Sequence, residues 1–400
     1  MTPRLATSQD VGNLTRVTTT LPKAKLPPVV GELAKASVDG RLRLGGTYET
    51  PLQVGNTTTF LYVGNADRVK VQHFMSNFPK VPLLEEVAPG FRAVTVELPE
   101  YARFEYKLAV KLGDQSMLSP DPFNRHLATD PHGANSVAFG PGYIEPPWVR
   151  PRRAPEGKLV RSTIDSQAFG YLCAVNWYHP ATDSVGPRPL LVVHDGSDFV
   201  RHAGLLDVLD NLIAERVIPP VVVALVDPID RMPEYSDDPR QAVFVAEIVR
   251  EAIAHHGVND DPANHAYLGA SLGAVAALSA AWRIGGVGGL VLLSGSFVTE
   301  LGGPNKRGPH FLPTIDFVQR FENNPRCPAE RIYQACGIYE GLALDNRKFT
   351  PLLVSAGAAV TYEEHRDGHH WHNWRNRLAR GLSVALGSGD PPPSVTWAHD

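Results

Sequence analysis

Segment 269–273, Gly-Ala-Ser-Leu-Gly, constrains the fold of this 400-residue chain more than any other segment. A Gly-x-Ser-x-Gly pentapeptide between an apolar strand and a helix of small residues is typical of a nucleophile elbow, a sharp turn that presents the serine. Glycine at both flanks avoids collisions with neighbouring backbone. The apolar segment 266–268 and the small-residue run 274–281 satisfy both conditions. We therefore predict Ser271 as a nucleophile; the alternative is an ordinary helix N-cap serine.

A serine nucleophile needs a general base, and segment 363–375 offers four histidines. His369 follows Asp367-Gly368, shortly after the predicted strand 359–362. A histidine directly after a glycine near a strand's C-terminal end is well placed to point over the end of a sheet. We predict His369 as the base. His370 and His372 remain rivals, and each also fits a solvated loop or helix-cap position.

The acid that orients the base should lie on the loop after a strand between the serine and the histidine. Segment 331–337 is the predicted strand, and Glu340 lies in the loop that follows it. We predict Glu340 as the acid and keep Asp345 as the alternative. Both carboxylates also fit exposed positions near the start of a helix, where the dipole favours negative charge.

An oxyanion hole needs two backbone N–H groups. Leu272, directly after the serine, is the predicted first donor. The second is predicted after the buried strand 190–193, which ends at an Asp-Gly pair, so Gly196 or Ser197 would donate.

Two side chains are predicted to line the substrate pocket. Arg231 lies in a polar loop after the predicted strand 221–226, at the sheet edge where ligands bind in α/β proteins. Its alternative is a salt bridge with Asp230 or Glu234. Trp371 would wall the pocket, and its alternative is ordinary core packing.

The order of these motifs, at 192–196, 269–273, 337–341 and 368–375, resembles the enterochelin esterase and esterase D branch of the α/β-hydrolase superfamily. Segment 57–147 is similar to the N-terminal immunoglobulin-like, early-set domain of enterochelin esterases. The matching stretches there include Phe60-Leu61-Tyr62, Phe104-Glu105-Tyr106-Lys107 and Asp121-Pro122-Phe123-Asn124. The resemblance covers about residues 40–385.

The resemblance implies a cytoplasmic serine esterase that acts on a siderophore-like lactone or a related ester, with a small-molecule substrate and no cofactor. It makes Ser271 the nucleophile, His369 the base and Glu340 the acid. The chain departs from the family pattern at Glu340, where Asp is common, and at His370, where Asp often follows the catalytic histidine. The same branch contains carbohydrate esterases that remove feruloyl or acetyl groups, and these are the second hypothesis.

The composition limits the kinds of binding partner that we expect for this protein. A net charge of −4 with 20% charged residues gives no electrostatic case for nucleic acid or an anionic membrane surface. The three cysteines, Cys173, Cys327 and Cys336, do not predict a disulfide framework. No secretory signal and no apolar run long enough for a membrane helix is visible in the sequence. We expect a soluble, cytoplasmic protein, and the oligomeric state stays open.

Proline and glycine positions predict the domains. These are an N-terminal arm over 1–38, an immunoglobulin-like β-sandwich over 39–145, a Pro-rich linker over 146–157, an α/β-hydrolase domain over 158–386 and a disordered tail over 387–400. The hydrolase domain is expected to have a mostly parallel sheet with helices on both faces. Its predicted strands are 160–164, 171–178, 190–193, 221–226, 265–268, 289–293, 332–336 and 360–364.

Two alternatives come from other classes of protein. A zinc site formed by His365, His369, His370 and His372 lacks the usual i, i+4 pair with a carboxylate base, and it leaves Ser271 without a role. A non-catalytic carbohydrate-binding protein with a degenerate hydrolase domain is disfavoured because every candidate for the triad is present.

Overall fold

The structure is a computed structural model that describes residues 19–42, 49–150, 154–182, 186–302 and 307–387. These residues form two compact units. The first contains the described residues up to Ile144 together with two short later segments, Ile338–Glu340 and Arg366–His370; the second contains the rest. The predicted tail, beyond Gly387, and residues 1–18 of the predicted arm lie outside the described residues.

The first unit is built from antiparallel strands in two sheets. Its strands are β1 (Leu52–Val54), β2 (Thr57–Val63), β3 (Arg68–His73), β4 (Glu85–Ala88), β5 (Phe91–Glu97), β6 (Arg103–Leu112), β7 (Gln115–Ser119), β8 (Leu127–Asp130) and β9 (Gly133–Phe139). One sheet has the order β1-β2-β5-β4; the other has the order β3-β6-β9-β8, with β7 paired to β6.

The two sheets share one core. Phe60 and Val94 of the first sheet and Val71 and Phe104 of the second are buried in the same apolar cluster. Alternating side chains place these residues on the inner face of each sheet. Helix α1 (Pro28–Val38) packs on the other face of the first sheet in a separate cluster. The unit is therefore a β-sandwich, as the strand-rich sequence predicts.

The second unit alternates strands and helices. Its strands are β10 (Lys158–Ser166), β11 (Tyr171–His179), β12 (Leu190–His194), β13 (Val222–Val226), β14 (His265–Ala270), β15 (Val287–Leu293), β16 (Ala329–Gly337) and β17 (Ala359–His365). Its helices are α2 (Gly196–Ala203), α3 (Leu205–Ala214), α4 (Arg231–Tyr235), α5 (Pro239–His255), α6 (Leu272–Ile284), α7 (Leu312–Asn323), α8 (Ala343–Ser355) and α9 (Trp371–Leu386). All eight predicted strands are present, with ends that differ by at most three residues.

These strands form one sheet in the order β10-β11-β13-β12-β14-β15-β16-β17. Strands β12 to β17 are parallel, whereas β11 is antiparallel to both of its neighbours. Every residue of β12, β13, β14 and β15 is buried, which is the pattern of a sheet covered on both faces. One apolar cluster includes side chains of α5 to α8, and the other includes side chains of α2, α3 and α9.

The parallel strands run in one direction, so their carboxyl ends lie at the same edge of the sheet. The segments that carry Ser271, Glu340 and His369 begin after β14, β16 and β17 respectively. Among the described helices, none is long and apolar enough to cross a membrane.

Candidate active site

Ser271 occupies a strained turn between β14 and α6. Its backbone has φ 57° and ψ −120°, a region that residues with a side chain rarely adopt. The turn is held on both sides, because the Ser271 N–H donates to the Leu293 carbonyl at 2.9 Å and the Ser271 carbonyl accepts from the Ser296 N–H at 3.1 Å. This geometry is that of a nucleophile elbow.

The hydrogen bonds of the Ser271 side chain show whether this residue caps helix α6. Ser271 stands at the N-cap position of α6, but its side chain makes no capping hydrogen bond. Its Oγ lies 3.3 Å from the Oγ of the buried Ser296. The hydroxyl is therefore not used to stabilise the helix, which leaves the strained backbone unexplained by capping.

The two glycines of the motif avoid different collisions. A Cβ on Gly269 would lie 2.0 Å from the Gly273 carbonyl oxygen. A Cβ on Gly273 would lie 3.0 Å from a side-chain oxygen of Asp195. The prediction that both flanks face neighbouring backbone therefore holds for Gly269, whereas Gly273 makes room for a carboxylate.

Asp195 lies beside the elbow and binds Arg231. It follows the end of β12 in a left-handed conformation, with φ 56° and ψ 42°. The Arg231 guanidinium donates to both of its oxygens, Nε to Oδ1 at 2.8 Å and a terminal nitrogen to Oδ2 at 2.7 Å. The Asp195 side chain is 5% exposed. The observed partner of Arg231 is thus a buried carboxylate in a bidentate pair, and not Asp230 or Glu234, the partners of the alternative interpretation.

The structure gives different results for the three residues predicted to form the oxyanion hole, which are Leu272, Ser197 and Gly196. Leu272 is the first residue of α6, and the first N–H groups of a helix have no acceptor within it, so its amide suits an anion. The Ser197 N–H donates to the Asp227 carboxylate at 3.0 Å, and the Ser197 hydroxyl also donates to Asp227. An oxyanion could reach the Ser197 amide only if Asp227 moved. Gly196 is buried and stays the prediction for the second donor.

His369 and Glu340 are paired within the first unit. The His369 Nδ1 lies 2.5 Å from a carboxylate oxygen of Glu340, whose side chain is 2% exposed. An ionised carboxylate only accepts hydrogen bonds, so an ionised Glu340 would hold the proton on Nδ1 and make Nε2 the basic nitrogen. Asp345 pairs instead with Arg307, in the second unit. Of the two candidate acids, Glu340 is the one beside the candidate base.

The other histidines of the 365–372 segment have partners of their own. His370 lies 3.7 Å from Glu105. His365 accepts a hydrogen bond from Arg377, and burial together with that positive charge lowers its pKa to about 4. Within the described part of the chain, no group of three or more His, Cys, Asp and Glu side chains is arranged to hold a metal ion.

Trp371 packs in the helical layer that includes α9. Its ring lies 4.7 Å from that of Trp374 and 5.3 Å from that of Phe199, both edge to face. The Trp374 indole donates to the Ser294 hydroxyl. These contacts fit the packing alternative for Trp371, and its role as a pocket wall stays a prediction.

Comparison with known families decides the class. The model of a family described as putative esterase matches residues 166–384, which is more than half of the chain. The chain belongs to this esterase family. The matched segment contains Ser271, Glu340 and His369, as well as the Asp195–Arg231 pair. No curated protein gives a significant match to the chain.

Solved esterase structures share the fold. The ferric enterobactin esterase of Salmonella typhimurium matches with a TM-score of 0.69 and 19% identity, over 83% of this chain and 93% of that one. The enterochelin esterase of Shigella flexneri matches with a TM-score of 0.66 and 19% identity, over 83% and 93%. The Shigella flexneri enterobactin esterase in the presence of enterobactin gives 0.67 and 20%, over 82% and 94%. The resemblance to enterochelin esterases found in the sequence is therefore confirmed at the level of fold.

Two residues beside the elbow of this esterase, Asp195 and Ser296, are not among those predicted from the sequence. The Asp195-Gly196 pair is typical of a turn that ends a strand, but after a buried strand it also places a carboxylate at the binding edge of the sheet. Ser296, which lies beside Ser271, follows β15 within Ser294-Gly295-Ser296. A second serine shortly after the next parallel strand is the signal that could have indicated it.

Proposed function

We propose that this esterase is a serine hydrolase that cleaves a carboxylic ester or lactone through Ser271, His369 and Glu340. The observation that carries the proposal is the backbone of Ser271, strained at φ 57° with no capping bond to account for it. Strain of this kind persists where the surrounding structure over-determines it, and it clusters at reactive residues. The hydrogen bond between His369 and Glu340 supplies the second part of a triad.

Chain order and strand ends support the assignment. The serine, the acid and the histidine follow β14, β16 and β17, which are parallel strands of one sheet. Nucleophile, then acid, then histidine is the order that α/β hydrolases use. The acid is Glu in place of the more common Asp.

The reaction would proceed by two acyl transfers. Ser271 Oγ attacks the ester carbonyl carbon while His369 Nε2 takes the hydroxyl proton, and Glu340 stabilises the imidazolium through Nδ1–H. The tetrahedral intermediate collapses as His369 returns the proton to the departing alkoxide, which leaves an acyl-Ser271 ester. Water then attacks the carbonyl carbon of this ester while His369 takes its proton. The acid product leaves as His369 returns the proton to Oγ, which regenerates free Ser271. In a lactone, the alcohol and the acyl group belong to one molecule, so the new hydroxyl group stays attached to the acyl group.

The negative oxygen of each intermediate would bind at the start of α6. The Leu272 N–H is the first donor, and the helix dipole adds favourable potential there. Gly196 is the proposed second donor. The Asp195–Arg231 pair lies next to this region and fixes the loop that carries Gly196.

The proposed substrate is a siderophore-like trilactone. Support comes from the shared fold of solved enterobactin esterases and from the β-sandwich unit, for which we propose an immunoglobulin-like, early-set assignment. A feruloyl or acetyl carbohydrate esterase remains the second candidate for the same active site. Arg231 keeps 39% of its side chain exposed beside Asp195, so it can still meet an acidic or catecholate group at its outer edge.

A substrate panel tests the proposal. Turnover of a ferric trilactone siderophore, a feruloyl ester and short p-nitrophenyl esters is compared for the wild type and Ser271→Ala, each with and without a chelator. We expect short-ester turnover that Ser271→Ala abolishes and the chelator leaves unchanged, with the trilactone giving the highest kcat/KM. Absence of turnover on every member would reject the function. A preference for the feruloyl ester would reject the trilactone alone.

A further inference from the structure

The segments that carry the proposed acid and base are fastened to the β-sandwich. Ile338–Glu340 and Arg366–His370 both belong to the first compact unit, although in the chain they follow strands of the second. Two residues of the sandwich, Asn77 and Arg103, bind these segments through hydrogen bonds. The inference below rests on the proposed function.

Asn77 holds the segment that contains the acid. Its side-chain amide donates to the Glu340 carbonyl at 2.9 Å, and its backbone N–H donates to the Tyr339 carbonyl at 3.2 Å. The neighbouring Phe78 ring packs edge to face on the Tyr339 ring at 4.8 Å. Asn77 therefore fixes the main chain of the residue whose carboxylate meets His369.

Arg103 holds the segment that contains the base. Its backbone N–H donates to the Arg366 carbonyl at 3.0 Å. Its guanidinium, with the side chain 2% exposed, donates to Glu105 at 2.9 Å and to Asp367 at 3.3 Å. Asp367 accepts a further hydrogen bond from the Gly368 N–H at 2.8 Å, one residue before His369.

In this buried group the Arg103 guanidinium faces two carboxylates, and His370 lies 3.7 Å from one of them, Glu105. Burial raises the pKa of Glu105, but His370 and Arg103 outweigh it, so the net pKa is lowered. Burial raises the pKa of Asp367, which Arg103 counteracts. Buried charges of this kind are costly to desolvate and add little net stability, so their geometric role matters more than their energy.

A backbone hydrogen bond joins the two segments. The Tyr339 N–H donates to the Asp367 carbonyl at 3.2 Å. Asn77 fixes one side of this contact and Arg103 fixes the other. The distance between the Glu340 carboxylate and His369 is thus determined by main chain that the β-sandwich holds.

We infer that Asn77 and Arg103 are positioning residues, through which the β-sandwich aligns Glu340 with His369 for catalysis. Neither side chain is assigned a contact with the substrate. A displacement of about 1 Å in a catalytic group lowers the rate by about 10²-fold. Loss of either side chain is therefore expected to lower kcat and to leave KM nearly unchanged.

Asn77→Leu is the first test, because it removes the amide donors, keeps the branching of the side chain and lies at a half-buried position. Asn65→Leu, at an exposed position of the same unit, is the matched control. We expect kcat for a short ester to fall about 10²-fold in Asn77→Leu, with KM within about twofold and with both values unchanged in the control. Asn77→Gln, which keeps the carboxamide, should recover part of kcat.

A spectroscopic readout separates positioning from loss of structure. The hydrogen-bonded Nδ1 proton of His369 should give a downfield proton NMR signal that disappears in Glu340→Gln and in His369→Ala, and that broadens or shifts in Asn77→Leu. The full-length protein is used, and circular dichroism confirms folding. Arg103→Lys keeps the charge but loses the forked guanidinium that bridges Glu105 and Asp367, and it provides an independent second variant with the same expected loss of kcat.

The outcomes distinguish this inference from the proposed function. Wild-type turnover with an unchanged kcat and NMR signal in folded Asn77→Leu and Arg103→Lys would overturn the positioning role alone. Loss of kcat with an unmoved NMR signal would also overturn it. Wild-type protein without Ser271-dependent turnover would overturn the proposed function itself.

Discussion

Replacing Glu340 by glutamine tests the acid of the proposed triad. Glutamine has the same length, so its amide takes the place of a carboxylate that lies 2.5 Å from His369 Nδ1. If the NH₂ group faces Nδ1, the histidine proton moves to Nε2 and the basic nitrogen is lost from the serine side. A wrong tautomer of this kind lowers kcat by about 10⁴-fold, which corresponds to about 5 kcal/mol in the activation barrier.

The size of the loss should follow the geometry. Glu340→Asp shortens the side chain by one carbon–carbon bond, about 1.5 Å, so the oxygen retreats to roughly 4 Å from Nδ1, beyond hydrogen-bond range. We expect an intermediate loss of about 10²-fold for this variant. The assay is steady-state hydrolysis of a short p-nitrophenyl ester, with circular dichroism as the check on folding.

Asp345→Asn is the matched control, since Asp345 was the alternative acid and pairs with Arg307. It should keep kcat within about fivefold, whatever it does to stability. The assignment would be refuted if folded Glu340→Gln kept more than about a tenth of wild-type kcat, or if Asp345→Asn suffered the larger loss.

Two further predictions concern stability. Burial lowers the pKa of His194 from 6.5 to about 4, so between these values the unfolded chain takes up a proton that the folded protein does not, and acid weakens the fold. In denaturant titrations, the free energy of unfolding should fall between pH 7 and pH 4 by about 3 kcal/mol more in the wild type than in His194→Gln. An equal fall in the two proteins would contradict this. Gly269→Ala should destabilise by about 3 kcal/mol, because its Cβ meets the Gly273 carbonyl, whereas Gly31→Ala, in open space within α1, should be neutral or stabilising. Similar thermal midpoints for the two alanine variants would be evidence against the elbow geometry.

The sequence was sufficient for features that depend on local pattern. The strands of the second unit are apolar runs bounded by Gly, Pro and polar residues, so their number and approximate ends follow from the chain. The elbow follows from the glycine spacing because the turn tolerates no side chain at Gly269. Between Glu340 and Asp345, sequence offered only a ranking, since both lie after the same strand.

Contacts between distant residues were not predictable. Arg231 is 36 positions from Asp195, and Asp227 is 30 positions from Ser197; each pair meets only because β12 and β13 are neighbours in the sheet. Local sequence patterns therefore offer only Asp230 and Glu234 as alternative partners of Arg231, and they do not predict the hydrogen bond from the Ser197 amide to Asp227. Asn77 is 263 positions from Glu340, so its role depends entirely on tertiary structure.

The central claim is that Ser271 is the nucleophile, and covalent labelling tests it most directly. The full-length protein is treated with an organophosphonate probe, and the modified residue is identified by peptide mass spectrometry. Ser296→Ala is the matched control, because the Ser296 hydroxyl lies 3.3 Å from that of Ser271. We predict one adduct, on Ser271, that is absent in Ser271→Ala, retained in Ser296→Ala and unaffected by a chelator. An unlabelled wild type, or an adduct that persists in Ser271→Ala, would contradict the account.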